Sequence, residues 1–519
     1  MYKKITGIIV LIILLSAVTF SGQKSKIPIT LEECILGALK NNLNIAVEVL
    51  NPELADISAS VEKEIFLPSL SFNYGTQETN NPSFSWIDAA EQVTAVYDDY
   101  GVQLEQLFPT GGSLSVSLYS YKSDSNRKFQ TINPRYGSSL SFSLSQPLLK
   151  DFGFKVTRKE IIVANNNTQI SEANFKESLI QTIYNVEEAY WELVFSIENL
   201  KAKQQSLKLA LDLLAKNKKE VGVGVLAPIE VLSAESEVAA READIIEAEY
   251  LVKNNEDTLK TIINLVAEED IKIKNIIPVD EPTYKEKDIS LEEALLIGMQ
   301  NRPDLKASRI DIKSKDVELS YAKNQLLPGL SFDVSYWSPG VSGTQILYQD
   351  NNPLTDVVVG KTPGDASKAL QDAFSLAYKN WSVGLTLSIP VATIFSRARF
   401  AQAKVNFKQA KFKLQNDEQQ AFLEIRNAVR NVMSNYKRVH AYKTASELAE
   451  KTLAAEEKKL IVGLSTNYTV LQYQRDLANA KSAEIRAVID YNLSLAGLEK
   501  TLGTTLESKD IKFSQISPL

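Results

Sequence analysis

The 519-residue sequence contains only one cysteine, Cys34, and one histidine, His440. A lone cysteine cannot form an intrachain disulfide, and zinc or copper sites usually take several cysteine or histidine ligands. Catalysis by histidine would depend on His440 alone, and the sequence offers no recognisable pair of nucleophile and base. We therefore expect no enzymatic activity, no metal and no cofactor. The net charge of −7, with both signs interspersed, argues against a nucleic-acid partner.

Long apolar runs are missing beyond the N-terminus, where no segment reaches the roughly 20 apolar residues that a transmembrane helix needs. The one long apolar run, Ile8–Leu15, follows Lys3 and Lys4 and precedes the small residue Ser21. This order is typical of a secretory signal peptide. We predict that residues 1–22 are such a peptide and that the mature chain is exported. A retained N-terminal anchor is the alternative.

The sequence repeats itself at long range. Residues 29–45 read ITLEECILGALKNNLNI, and residues 289–305 read ISLEEALLIGMQNRPDL. A second pair of matching segments, FLPSLSF and LLPGLSF, has the same offset of 260 positions. Two matches at one offset indicate an internal duplication. We predict two structural repeats, 23–280 and 281–519.

The two predicted repeats share one order of elements. Each opens with a short helix, whose capping box is Thr30 with Glu33 or Ser290 with Glu293. A second helix then ends at a Leu-Pro pair. Strands, a very long helix, a glycine-containing turn and a shorter helix follow. The first repeat carries 17 additional residues between its Leu-Pro pair and Pro147.

Four segments alternate apolar and polar residues with a period of two, which predicts half-exposed strands. They are about 69–77, 136–146, 329–337 and 380–389. A further pair, about 98–107 and 112–121, flanks a Pro-Thr-Gly-Gly turn and would account for the additional residues. The segment 338–379, rich in glycine, proline and aspartate, joins two strands and is predicted to be an extracellular loop.

Aromatic residues gather near the ends of these segments, at Tyr74, Tyr136, Tyr336, Trp337 and Trp381. Strands that are apolar on one face and polar on the other, with aromatic girdles, are typical of a membrane β-barrel. A soluble antiparallel sheet with one wet face would alternate in a similar way. Four or six strands cannot close a barrel, and open edges in lipid leave backbone groups unpaired. Several copies of the chain are therefore expected to complete the barrel.

Proline and glycine are absent from residues 155–221 and 391–462, which are runs of 67 and 72 residues. Each run is long enough for a helix of about 100 Å, and apolar residues such as Leu179 and Ile183 recur at coiled-coil spacing. Charged residues occur throughout, so we expect both helices in water. The glutamate-rich stretch 235–249 is interpreted as a solvated helix face. An exported chain with strands for lipid and long helices for water indicates a tube that crosses the periplasm.

Three features of the sequence, spread over about 28–505, resemble the TolC outer-membrane efflux family. They are the Leu-Pro pair before each strand set, Gln146-Pro147-Leu148 before a long helix, and two glycine turns followed by Val-Leu. The resemblance implies a mainly α fold with membrane β strands, in which a homotrimer forms a β-barrel that continues as a long periplasmic α-helical barrel. Four strands per subunit, twelve in the trimer, are the family pattern, and the extra pair makes six per subunit possible. Belt strands are implied at Ile271–Ile277 and Lys509–Phe513.

In this family the helix–turn–helix tips form the periplasmic entrance and meet an adaptor protein, which links the duct to an inner-membrane transporter. The corresponding tips here are Val223–Leu232 and Val462–Leu471. The candidate tip residues are Gly224, Glu230, Val231, Leu232, Gly463, Ser465, Thr469 and Gln472.

The charges of the tips depart from the family pattern. Glu230 matches an acidic position at the family's entrance, but Thr469 and Gln472 stand at other acidic positions. Ser465 stands where a basic partner is usual. We therefore expect a weaker preference for cations at this entrance.

The predicted function is an outer-membrane exit duct for the efflux of small molecules, embedded in outer-membrane lipid and extending into the periplasm. Type I protein secretion through a similar duct is the alternative within the channel class, and the tip sequences do not separate the two. From a different class, the chain could be a periplasmic coiled-coil scaffold, which predicts a water-soluble protein without a barrel.

Overall fold

The structure is a computed structural model that describes residues 26–83, 85–88, 90–265 and 275–511. The predicted signal peptide, residues 1–22, lies outside the described residues. Within the described part of the chain, no helix is both long and apolar enough to cross a membrane.

Helices make up most of the described chain. In chain order, the α-helices are α1 (Leu31–Asn41), α2 (Leu43–Glu48), α3 (Leu50–Val61), α4 (Phe154–Thr157), α5 (Lys159–Gly222), α6 (Pro228–Ile262), α7 (Leu291–Asn301), α8 (Pro303–Asn324), α9 (Ala366–Phe374), α10 (Ile394–Ile461), α11 (Asn467–Leu502) and α12 (Thr505–Ser508). The longest two, α5 and α10, have 64 and 68 residues and measure about 100 Å each. Both predicted long helices are therefore confirmed.

Strands occupy every segment that the alternation predicts. In chain order, they are β1 (Lys26–Ile29), β2 (Ser69–Pro82), β3 (Gln92–Leu107), β4 (Ser113–Ser125), β5 (Ile132–Pro147), β6 (Asn275–Pro278), β7 (Gly329–Tyr348), β8 (Val358–Thr362) and β9 (Asn380–Ser388). The four predicted strands are β2, β5, β7 and β9, and the further pair is β3 with β4. All six are confirmed.

The chain divides into two compact units, each of which takes residues from both predicted repeats. The first unit comprises the described residues within 1–50, 173–305 and 417–519, and the second comprises those within 51–172 and 306–416. The repeat boundaries do not coincide with these units and stay a prediction.

The second unit contains an antiparallel sheet with the strand order β2-β3-β4-β5-β7. The far side of β7 pairs with β9 along Gly329–Trp337 and with β8 along Gln345–Tyr348. Within the described residues, β2 pairs only with β3 and β9 pairs only with β7. The sheet is therefore open on two sides, at β2 on one side and at β9 and the short strand β8 on the other.

The segment 338–379 is not the loop that its composition predicts. Strand β7 continues to Tyr348 because its backbone keeps pairing with β5 as far as Gln345, and β8 and α9 occupy part of the remainder. Helix α9 packs on β5 and β7, with the small residues Ser338 and Gly340 beneath it. Small residues make room for a helix here, which explains why a composition typical of loops occurs in helix and strand.

The first unit is held together by buried apolar stripes on its long helices. Helix α5 buries Leu179 and Ile183, and α10 buries Ile425 and Val429 at the same spacing. Full burial of each such side chain stabilises the fold by about 1.5–3 kcal/mol. The coiled-coil spacing therefore predicts the core-facing sides of these helices at these positions, although Leu211 and Phe422 of the same stripes are exposed.

The belt strands differ from the prediction. Ile271–Ile277 is described only from Asn275, where it forms β6 and pairs in parallel with β1. The described part of Lys509–Phe513 forms no strand. Lys509 instead caps the end of α12, and its amino group lies 2.6 Å from a carboxylate oxygen of Glu187. The remaining residues of both predicted strands lie outside the described residues.

The two predicted capping boxes also differ from each other. At α1 the Thr30 hydroxyl accepts from the Glu33 N–H at 3.2 Å, and the Glu33 carboxylate accepts from the Thr30 N–H at 2.9 Å. At α7 the Ser290 hydroxyl accepts from the Glu293 N–H at 3.4 Å but donates to Glu292 at 3.0 Å. The box is complete at α1 and half formed at α7.

Candidate functional site

The sheet presents one apolar and one polar face across its six long strands. One row of directly paired residues is apolar and comprises Leu70, Leu104, Val116, Phe142, Tyr336 and Trp381. The adjacent row, one residue along each strand, is polar and comprises Ser69, Glu105, Ser115, Ser143, Ser335 and Ser382. Successive side chains of a strand point to opposite faces, so the two rows define two faces with different chemistry.

The apolar face is exposed, whereas the polar face is joined by hydrogen bonds. Phe72 and Leu385 are 73% and 68% exposed. On the polar face, the hydroxyl oxygens of Ser117 and Ser141 lie 2.6 Å apart. A soluble sheet would expose its polar face to water and bury its apolar face. Here the apolar face is exposed, which is typical of strands whose apolar face contacts lipid.

The five aromatic residues of the predicted girdle do not share one face. Tyr74, Tyr136, Tyr336 and Trp381 occupy positions on the apolar face. Trp337 lies on the polar face, because it directly follows Tyr336 and pairs with Ser141. Trp337 is therefore not a girdle residue, and strict alternation within 331–336 already placed it on the polar side.

The two predicted tips contain turns of the same geometry. Gly224, between α5 and α6, has φ +76°, and Gly463, between α10 and α11, has φ +77°. In each turn the next N–H donates to a carbonyl five residues earlier, at 3.0 Å in the first tip and 2.9 Å in the second. A residue with a β-carbon costs about 1–2 kcal/mol more in this left-handed conformation, which explains a glycine at both turns.

Apolar side chains are exposed around both turns, at three equivalent pairs of positions and at Leu232, whose equivalent Leu471 is buried. They are Val223, Val225, Ile229 and Leu232 in the first tip, and Val462, Leu464 and Tyr468 in the second, each 60% or more exposed. We call these seven residues the tip patch. Clustered exposed apolar residues mark an interaction surface.

The other candidate tip residues have different surroundings. Glu230 lies in the first turn of α6, where the helix dipole favours a negative charge. Val231 packs against the apolar core beneath the tips. Thr469 completes the start of α11, because its N–H donates to the Thr466 hydroxyl at 3.2 Å. Gln472 is exposed on α11.

Ser465 is bonded within its own hairpin. Its hydroxyl donates to one carboxylate oxygen of Glu456 at 2.6 Å, and the Lys459 amino group lies 2.9 Å from the other. The hydrogen bond from Ser465 and then that from Lys459 hold the pKa of Glu456 below its ordinary value. The contribution of this group to stability is therefore present at neutral pH and is lost as the pH falls through that lowered pKa.

Beneath the tips, three helices are joined by a buried arginine. Arg241 of α6 is 4% exposed and donates to the Ser206 carbonyl of α5 at 2.7 Å and to the Leu471 carbonyl of α11 at 3.1 Å. Its Nε donates to Glu237 at 3.1 Å, and Glu237 also accepts from Arg475 of α11. We call Arg241, Glu237 and Arg475 the tip clasp.

Most of 235–249 is a solvated helix face, as predicted, because Glu235, Glu242, Glu247 and Glu249 are exposed. The tip clasp is an exception within this stretch. Glu237 and Arg241 are one helical turn apart and lie on the side of α6 that contacts α11.

Known proteins are similar to this chain in sequence and in fold. Outer membrane protein TolC of Escherichia coli (strain K12) is 23% identical over 342 residues, which is 65% of this chain and 64% of that protein. Outer membrane protein TolC of Vibrio cholerae serotype O1 is 21% identical over 432 residues, 80% of this chain and 92% of that protein. Among solved structures, the outer-membrane channel OprN has a TM-score of 0.64 over 91% of this chain and 90% of its own, at 16% identity.

These similarities support different conclusions about fold and family. The match to OprN, at its low identity, shows a shared fold. The match to the Escherichia coli protein spans slightly less than two thirds of that protein. The family model described as outer membrane efflux protein matches residues 35–265 and 298–504, which is most of the chain. The chain therefore belongs to the outer membrane efflux protein family.

Proposed function

We propose that this chain is the outer-membrane exit duct of an efflux system, and that three copies together close one barrel. The observation that carries the proposal is the sheet, in which an exposed apolar face and a hydrogen-bonded polar face run between two open edges. Lipid does not tolerate open strand edges, so another copy must pair with each edge. The apolar face then contacts lipid, and the polar face lines a water-filled path.

The tip patch supports a protein partner for the duct. Its seven residues are apolar and exposed around two equivalent turns, and such a surface favours protein contact over solvation. We propose that it receives a periplasmic adaptor, through which an inner-membrane transporter delivers small molecules to the duct.

Deletion of the gene in its native bacterium tests the proposal. An efflux duct predicts increased sensitivity to drugs and dyes, with an unchanged set of secreted proteins. Loss of secreted proteins at unchanged drug sensitivity would favour type I secretion. A protein that stays soluble without detergent and leaves both properties unchanged would favour the scaffold and overturn the proposal.

The double variant Thr469→Asp/Gln472→Asp is expected to make the entrance more sensitive to cations. The change adds two carboxylates per subunit at positions that now hold neutral side chains. Block of single-channel current by a trivalent cation should tighten by about tenfold, equal to about 1.4 kcal/mol. The neutral variant Thr469→Asn/Gln472→Asn is the control. Equal block of both variants would show that these positions do not face the ion path.

The double variant Val225→Glu/Leu464→Glu is expected to weaken adaptor binding without preventing assembly of the duct. Both side chains are at least 78% exposed, so charge is tolerated in the free protein but not in an apolar interface. Binding of the cognate adaptor should weaken by about thirtyfold, since loss of a central interface residue costs about 2 kcal/mol. Ile246→Glu is the control, because Ile246 is exposed and apolar but lies outside the tips. Equal loss in the control would remove the assignment of the tip patch.

A further inference from the structure

Two strands of the sheet have no place in the four-strand pattern that the family resemblance implies. Strands β3 and β4 form a hairpin inserted between β2 and β5. The hairpin is a full part of the sheet, because β3 pairs with β2 along the whole of Ser69–Pro82. On its other side, β4 pairs with β5 from Ser113 to Ser123.

The hairpin carries the same two faces as its neighbours. Leu104 and Val116 continue the apolar row from β2 to β5. Gln103 and Ser115 lie on the polar face, where the Gln103 amide donates to the Ser115 hydroxyl at 3.3 Å. A hairpin folded outside the membrane would need no match to the lipid-facing row. The continuous alternation indicates that both strands lie in lipid.

The hairpin also spans the full depth of the sheet. Its turn lies at the end where the strands lead into helices, since the Gly153 N–H donates to the Thr110 carbonyl at 3.0 Å. The Thr110 hydroxyl lies 2.9 Å from the side-chain oxygen of Gln146 at the end of β5. Strands β3 and β4 have 16 and 13 residues, more than the roughly 9–11 that cross a membrane.

The open edges of the six-strand sheet are suited to each other. Neighbouring strands alternate in direction across the order β2-β3-β4-β5-β7-β9, so β2 and β9 run in opposite directions. Strand β9 of one copy can therefore pair in antiparallel fashion with β2 of the next. Pro68 and Pro390 flank the two edge strands at the end that leads into helices, which aligns the two edges. An even number of antiparallel strands per copy closes without a parallel pair.

We propose that each subunit contributes six membrane strands, so that three copies close an eighteen-stranded barrel in place of the twelve-stranded family pattern. The inference rests on the proposed trimeric duct. Barrel diameter grows roughly in proportion to strand number, so this exit is about one and a half times as wide. Barrels of this size enclose an aqueous channel. The substrate class is therefore bulky hydrophilic solutes, which a twelve-stranded exit would retard.

The lipid contact of the hairpin is tested by two neighbouring substitutions on β4. Val116→Arg introduces a charge on the apolar face, and Ser115→Arg introduces the same charge on the polar face. We expect Val116→Arg to reduce the detergent-resistant trimer in outer-membrane fractions by about tenfold or more, while Ser115→Arg assembles normally. Equal assembly of both variants would place the hairpin outside lipid and overturn the inference.

Strand counting by cryo-electron microscopy of the detergent-purified wild-type protein gives the second test. Eighteen strands around a threefold axis are expected. A threefold barrel of twelve strands, with β3 and β4 folded away, would overturn this inference and leave the exit duct intact. Soluble rods or monomers without a barrel would instead overturn the proposed function itself.

Discussion

Replacing Lys509 with methionine is expected to lower the free energy of unfolding by about 3 kcal/mol. Glu187 is 2% exposed, and one of its oxygens lies 2.6 Å from the Lys509 amino group. Within the described residues, its other oxygen has no hydrogen-bond partner. Removal of the amine therefore leaves a buried carboxylate without a counter-charge. The midpoint of urea unfolding, followed by the helical circular dichroism signal, measures the loss.

The Lys509→Met variant should also become more stable as the pH falls. Burial raises the pKa of Glu187, and Lys509 partly opposes that rise. Loss of the lysine raises the pKa further. A carboxyl group with a raised pKa binds its proton more tightly in the folded state, so stability increases as the pH falls through that pKa towards the ordinary value of about 4.5.

Two controls separate this effect from general damage. The double variant Glu187→Gln/Lys509→Met removes the buried charge and should recover most of the stability. Lys201→Met breaks an ion pair with Glu198 of the same 2.6 Å distance, but both partners are well exposed, so its cost should stay below about 1 kcal/mol. Equal midpoints for Lys509→Met and the wild type would contradict the assigned role of this pair.

Replacing Arg241 with methionine is expected to loosen the tips by about 3 kcal/mol of local stability. Methionine keeps most of the buried aliphatic volume but leaves the Ser206 and Leu471 carbonyls without their donor. Amide hydrogens of α6 and α11 beside the clasp should then exchange about 100-fold faster, since each 1.4 kcal/mol is a factor of ten. Hydrogen exchange with mass spectrometry measures the change at peptide resolution.

Arg475→Met is the control for the clasp. Both arginines bond to Glu237, but the Arg475 side chain is 60% exposed and that of Arg241 is 5% exposed. An exposed ion pair contributes about 0–1 kcal/mol, so Arg475→Met should leave exchange nearly unchanged. Equal acceleration in both variants would mean that the charge of Glu237 matters more than burial of the arginine.

The sequence predicts those features that depend on local periodicity. Alternation along 136–146 locates β5, and the absence of proline and glycine locates α5 and α10, because strand and helix geometry impose periods that side chains must follow. The threonine cap of α1 is also predicted, because it depends only on residues close together in the sequence. The two matching glycine turns also follow from the internal repeat.

Features that depend on distant partners are predicted poorly. The continuation of β7 past Pro339 depends on pairing with β5, which composition does not reveal. The burial of Arg241 depends on carbonyls of two other helices, and Lys509 finds its partner on α5. Trp337 is predicted wrongly for a different reason, because its residue type favours a girdle whereas the alternation places it on the polar face.

Helix α9 sets a limit on the thickness of the bilayer that this protein can match. It covers Ser338 and Gly340, which follow Tyr336 on the same face of β7. The nine residues of β9 and their partners on β7 are therefore the bare length that these two strands offer to hydrocarbon in the proposed barrel. Nine residues at about 3.4 Å span about 30 Å, and a tilt of about 40° reduces this to a height of about 23 Å. The bacterial outer membrane is thinner than average, so in the proposed barrel the docked helix limits the exposed length of β7 and β9 to one that suits a thin membrane.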